Sequence, residues 1–169
     1  MNRVIIHISG ASGSGKTTLG NKLKQKFKNE IVVKDIDDLK RDFIKKFDII
    51  QYQLYIDNFV KKHSLKPLIF VGFNNILDYN MHSTYNYFID LDDETIIKQK
   101  CKQLLNIFAN DYNMKMLVSN NKQYIKNLSI GIDYECNLKN KLKEDYMKRG
   151  YKFMSRENIF KNISKILQY

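Results

Sequence analysis

Gly10-Ala11-Ser12-Gly13-Ser14-Gly15-Lys16-Thr17 is the stretch that decides how this chain is read, because it fits the phosphate-loop pattern GxxxxGK(S/T). Before it, Arg3-Val4-Ile5-Ile6-His7-Ile8 forms a short β-branched run. After Lys16 the apolar residues switch to helical spacing at Leu19, Leu23 and Phe27. A glycine-rich turn between a strand and a helix is the context in which this pattern binds a nucleoside triphosphate. Gly10, Gly13 and Gly15 let successive backbone N–H groups point into one concavity, and the positive end of the following helix reinforces it. Lys16 then sets an ammonium on the β- and γ-phosphates, and Thr17 offers the hydroxyl that ordinarily ligates Mg²⁺. With Ser14 and Thr18 these residues form the expected cofactor-binding set for ATP.

The 169 residues suit one domain, large enough to bury roughly two-thirds of its unfolded surface without staples. Pro67 is the one proline, and no low-complexity segment, repeat or long apolar run interrupts the chain. Neither a signal peptide nor a membrane span is expected. Cys101 and Cys136 lack metal-binding or redox spacing, so a reducing, cytoplasmic setting is the simple inference. The net charge of +11 comes from 25 Lys against 4 Arg, in a chain also rich in Asn, Ile and Tyr. Those four abundant residues share A/T-rich codons, so nucleic acid is not the favoured partner, although an electropositive surface attracts anionic substrates.

Further along, Ile31–Asp35 reads as a second strand, with a helix face at Leu39, Phe43 and Phe47 after it and another helix over 49–61. Leu68-Ile69-Phe70-Val71-Gly72 is a continuous apolar run suited to a central strand covered on both faces. Tyr85–Leu91 is a fourth strand, followed by a helix with apolar positions at Ile97, Cys101, Leu104, Leu105 and Phe108. Residues 109–133 have weak periodicity and are expected to form a lid excursion over the site. A helix with Leu138, Leu142 and Tyr146 on one face follows, then a short strand over 150–154. Ser155 is placed to cap a last helix whose buried face carries Ile159, Ile163, Ile166 and Leu167. The alternation predicts a three-layer αβα domain over 1–169, built on a five-stranded parallel sheet with ligands at the carboxyl ends of its strands.

A phosphate loop alone does not separate kinases from GTPases or mechanical ATPases. The chain contains no guanine-reading (N/T)KxD sequence. At the end of the second strand, Lys34-Asp35-Ile36-Asp37-Asp38 puts three carboxylates where the phosphates should lie. One can hold Mg²⁺ or its waters, and another can orient an acceptor hydroxyl and take its proton. Here the chain resembles the P-loop small-molecule and nucleotide kinases, particularly the shikimate kinase and gluconate kinase group, whose second strand ends in a similar Asp-x-Asp. The resemblance spans the whole order of elements. It implies Asp35 near Mg²⁺, Asp37 facing the acceptor, Asp38 left as a helix cap, and Gly72 with Asn74 at the strand end facing the acceptor. The alternative is that all three aspartates cap the next helix.

Arg41 borders the expected acceptor pocket and is a further substrate-site candidate. The acids after the fourth strand, Ile89-Asp90-Leu91-Asp92-Asp93-Glu94, could instead belong to an ATPase. In the kinase group the following helix brings a basic residue to the nucleotide, for which Lys98 is the candidate, with Lys100, Lys102 and Lys115 as others. The chain departs from the family in having no arginine over 92–148. Arg149 and Arg156 read as exposed helix-end charges, with the active-site rim as the alternative. His7, inside the first strand, reads as a satisfied core imidazole. The leading function is an ATP- and Mg²⁺-dependent kinase acting on a small metabolite such as a nucleoside or nucleotide. A polynucleotide 5′-hydroxyl kinase and a nucleotide-binding regulatory protein are the competitors.

Overall fold

The computed structural model describes residues 3–43, 48–72, 80–110 and 122–168. Strand β1 (Ile5–Gly10) runs into the glycine loop and helix α1 (Lys16–Phe27), and β2 (Val32–Asp35) leads directly into α2 (Ile36–Asp42). Helix α3 (Ile49–Lys62) precedes β3 (Leu68–Val71) and β4 (Tyr85–Ile89). Helices α4 (Asp93–Asn110) and α5 (Lys122–Lys148) then pack together, and β5 (Lys152–Met154) feeds α6 (Arg156–Leu167). The sheet order is β2-β3-β1-β4-β5, and every pairing is parallel. All five strands therefore end on the same edge.

Alternation along the strands separates two cores. Ile6 and Ile8 of β1 join Ile69 and Val71 of β3 against Leu19 and Leu23 of α1 and Ile159 and Ile163 of α6. On the opposite face Ile5, Leu68 and Phe70 pack on Ile36, Leu39, Tyr52 and Ile56 from α2 and α3. Phe88 of β4 is covered there by Tyr146 of α5 and by Tyr151. This is the expected three-layer αβα arrangement, with β1 in the middle and β3 buried beside it. Among the described residues no helix is long and apolar enough to cross a membrane.

Several local expectations change. Helix α2 stops at Asp42, where Phe43 turns extended, and Phe47 lies outside the described residues. The cap of α2 is Asp35, whose side chain accepts from the Asp37 N–H, so Asp38 does not have that role. On α4 the buried isoleucine is Ile96 and its neighbour Ile97 is exposed. Within the expected excursion over 109–133, residues 122–133 are the first turns of the 27-residue helix α5. Ser155 caps α6 as expected, accepting from the Asn158 N–H at 3.3 Å.

Candidate functional site

The glycine loop lies at the carboxyl edge of β1, the middle of the sheet. Gly13 and Gly15 have φ of 76° and 83°, values that favour glycine and turn the backbone sharply before α1 begins. The Leu19 N–H bonds to the Gly15 carbonyl at 2.9 Å, so the helix winds directly out of the loop. Lys16 folds back over the loop, its Nζ donating to the carbonyls of Gly10 and Ala11 at 2.8 Å each. Ser14 is fully buried, and the Ser14 N–H bonds to the Ala11 carbonyl at 3.1 Å.

The end of β2 meets this loop through one contact. The Thr17 hydroxyl donates to Asp35 Oδ2 at 3.3 Å, while Asp35 Oδ1 accepts the Asp37 N–H at 2.9 Å. Asp35 thus does two things at once: it caps α2 and faces the first turn of α1. Asp37 stands exposed in the first turn of α2. Arg41 pairs with Asp38 and is mostly solvent-exposed, so the structure places it on the outer side of α2.

Gly72 closes the third side. Its φ is 140°, and a Cβ there would come 3.0 Å from Ile36 Cβ, so a side chain would separate β3 from the start of α2. Its carbonyl accepts a hydrogen bond from His7 Nε2 at 3.0 Å. Because a carbonyl only accepts, Nε2 carries the proton and Nδ1 accepts from the Tyr151 hydroxyl at 2.5 Å. Burial pushes the imidazole down to about pKa 4, the Gly72 hydrogen bond opposes this in part, and the charge of Lys16 lowers it further. His7 is therefore neutral and saturated, as its place inside β1 suggested. Asn74 lies outside the described residues.

A cavity of 370 Å³ opens beside the loop, lined by Gly13, Gly15, Lys16, Thr17 and Thr18, by Gln99 and Lys102 of α4, and by Arg156. Lys98 is not in this wall; its ammonium pairs with Glu94 at 2.6 Å on the solvent side. The acids after β4 are engaged elsewhere. Asp90 pairs with Lys143 of α5 at 3.3 Å, and Asp92 caps α4 by accepting the Thr95 N–H at 2.7 Å. Arg156 is the residue that its sequence position undersold. Its guanidinium rests against the loop, with Nη1 2.6 Å from where a Cβ of Gly15 would stand. The available signal was topological: β5 is parallel to β1, so whatever follows β5 emerges on the edge of the glycine loop.

Strand order, parallel sense and the loop between β1 and α1 define a P-loop fold. No protein-family model matches the chain, and no curated protein matches it. Among solved structures it is similar to an uncharacterized protein from Eubacterium ventriosum, at 15% identity over 99% of both chains and a TM-score of 0.48. It is also similar to thymidylate kinase from Ehrlichia chaffeensis, at 14% identity over 100% of both chains and a TM-score of 0.42. A gluconokinase from Sinorhizobium meliloti matches over 57% of this chain and 62% of its own, at 13% identity and a TM-score of 0.34.

Proposed function

We propose that this chain is an ATP- and Mg²⁺-dependent phosphotransferase whose acceptor is a small hydroxyl- or phosphate-bearing metabolite of the nucleoside or nucleotide class. The observation that carries the reading is the approach of Thr17 to Asp35 at 3.3 Å, beside a loop of the phosphate-binding pattern. Both atoms are hard oxygens of the type Mg²⁺ prefers. Among the described residues no three His, Cys, Asp or Glu side chains gather into an all-protein cage. A Mg²⁺ carried on phosphate needs only one or two protein oxygens, the rest coming from phosphate and water, so the donor set fits. Thr17 and Asp35 would hold the ion, which when bound neutralises charge on the phosphate oxygens.

The remaining roles follow from position. The loop N–H groups cradle the polyphosphate, and Lys16 stabilises charge on the β- and γ-phosphates as the bond to the leaving oxygen breaks. Asp37, exposed in the first turn of α2 next to the Asp35 cap, takes the proton from the acceptor hydroxyl. ADP production from Mg²⁺-ATP is the test, measured with pooled nucleosides, nucleoside monophosphates, sugars, hydroxy acids and short oligonucleotides. Stimulation by one pool that Lys16→Ala abolishes supports the reading. Nucleotide binding without stimulation by any pool overturns the transfer reaction and leaves a nucleotide-binding regulatory protein. Salt-sensitive stimulation by oligonucleotides alone makes a polynucleotide end the acceptor.

A further inference from the structure

We propose that Arg156 is a nucleotide-binding residue, its guanidinium contacting the α- and β-phosphates of the nucleotide held in the glycine loop. This rests on the nucleotide-binding reading above. Of the four arginines, Arg3 donates to the Val60 carbonyl and Arg41 pairs with Asp38. Arg149 precedes β5 and so falls at the opposite edge of the sheet from the loop. Arg156 directly follows β5, and the parallel register from β5 through β4 to β1 delivers it to the loop edge.

Two cations flank the loop from different directions. Lys16 Nζ lies over the Gly10 and Ala11 carbonyls, on the side of β1. Arg156 lies against Gly15, on the side of α1, and lines the 370 Å³ cavity with Lys16, Thr17 and Thr18. Among the described residues no carboxylate pairs with Arg156. A half-buried guanidinium without a carboxylate, set against the glycine loop, is a site of concentrated positive potential suited to a polyphosphate.

The assignment to the α- and β-phosphates comes from a second cavity. It is 680 Å³, lies between α1 and α6, and shares Thr18 and Arg156 with the first while adding Lys22, Gln25, Lys26 and Phe160. Arg156 thus stands where the two spaces join. In a glycine loop of this kind the lysine reaches the β- and γ-phosphates and the backbone N–H groups hold α and β. Arg156 shares the loop cavity with Lys16 but, unlike Lys16, also lines the second cavity, and it therefore meets the end of the polyphosphate from which the nucleoside departs. It also supplies the planar, bidentate fork that the lysines over 92–148 cannot offer.

The test is titration calorimetry of the full chain with Mg²⁺-ATP, Mg²⁺-ADP and AMP, comparing wild type, Arg156→Ala, Arg156→Lys and Lys16→Ala. Arg156→Ala is expected to weaken ATP and ADP equally, by about tenfold or more, with Arg156→Lys recovering part of the loss. AMP binding is expected to change less. Unaltered ATP and ADP affinities in a folded Arg156→Ala protein overturn the proposal. Loss confined to ATP also overturns it, since that pattern belongs to a γ-phosphate contact. If Lys16→Ala abolishes binding while Arg156→Ala does not change it, this inference fails and the nucleotide reading stands. If the wild type binds no nucleotide, both fail.

Discussion

Tyr151 donates a hydrogen bond to Nδ1 of His7 at 2.5 Å, joining the residue just before β5 to the middle strand of the sheet. The other ring nitrogen reaches the Gly72 carbonyl at 3.0 Å, so a single imidazole ties β1, the end of β3 and the start of β5 together. The side chain is fully buried, and both its nitrogens are used.

This arrangement makes stability depend on pH in a stated direction. The folded imidazole titrates at about 4 against 6.5 for the unfolded chain. Between those values the unfolded state binds the extra proton, so stability falls as pH drops from 6.5 towards 4 and this contribution flattens below. At ~1.4 kcal/mol per unit the full loss is roughly 3 kcal/mol. Urea titrations at pH 7 and pH 5 measure it, and His7→Asn should abolish this part of the slope. At pH 7 the same variant should cost about 1–3 kcal/mol by leaving buried hydrogen-bonding groups unpaired.

Asp35 caps α2 and touches Thr17, and two substitutions separate these roles. Asn caps helices about as well as Asp, so Asp35→Asn should leave the thermal midpoint near wild type while raising the Mg²⁺ concentration required for turnover. Asp35→Ala should do that and also lose about 1 kcal/mol of stability. Equal Mg²⁺ dependence in wild type and Asp35→Asn would remove Asp35 from the metal site.

Asp37 has no capping role, and its carboxylate is exposed. With a responding acceptor, Asp37→Asn should lower kcat by about a hundredfold, the scale of general-base catalysis, with ATP affinity unchanged. Steady-state kinetics over both substrates checks the split. A fully active variant excludes Asp37 from proton transfer.

The basic residues of α4 give a direct comparison. Lys102 lines the loop cavity, whereas Lys98 pairs with Glu94 at the surface. Lys98→Ala should therefore leave nucleotide affinity unchanged, and Lys102→Ala should weaken it several-fold, with the loss fading as salt is raised. Binding measured at two ionic strengths distinguishes the two residues.

Gly72→Ala should destabilise the fold by about 1–3 kcal/mol, because its φ of 140° disfavours a side chain and the added carbon would sit 3.0 Å from Ile36. It should also disturb Asp35 and Asp37, which flank Ile36. Comparing the thermal midpoint with the KM for the acceptor separates the two effects.

The glycine loop, the order of strands and helices, the three-layer fold and the Ser155 cap were legible in the sequence because each is a local pattern. A short β-branched run, a turn that only glycine tolerates and a 3.6-residue apolar repeat are written within about a dozen residues. The run of aspartates at the end of β2 and the start of α2 is likewise a local feature of the sequence. What each does locally was not legible: Asp35 rather than Asp38 caps α2, because the cap depends on where the backbone leaves the strand. On α4 Ile97 was expected on the apolar face and Ile96 is the one buried, since the two are equally apolar and only packing chooses between them. Tertiary structure alone put Arg156 on Gly15 and Tyr151 on His7, pairs 141 and 144 residues apart in sequence. No local pattern encodes such contacts; the register of the parallel strands sets them, bringing every strand's carboxyl end, and whatever follows it, to one edge.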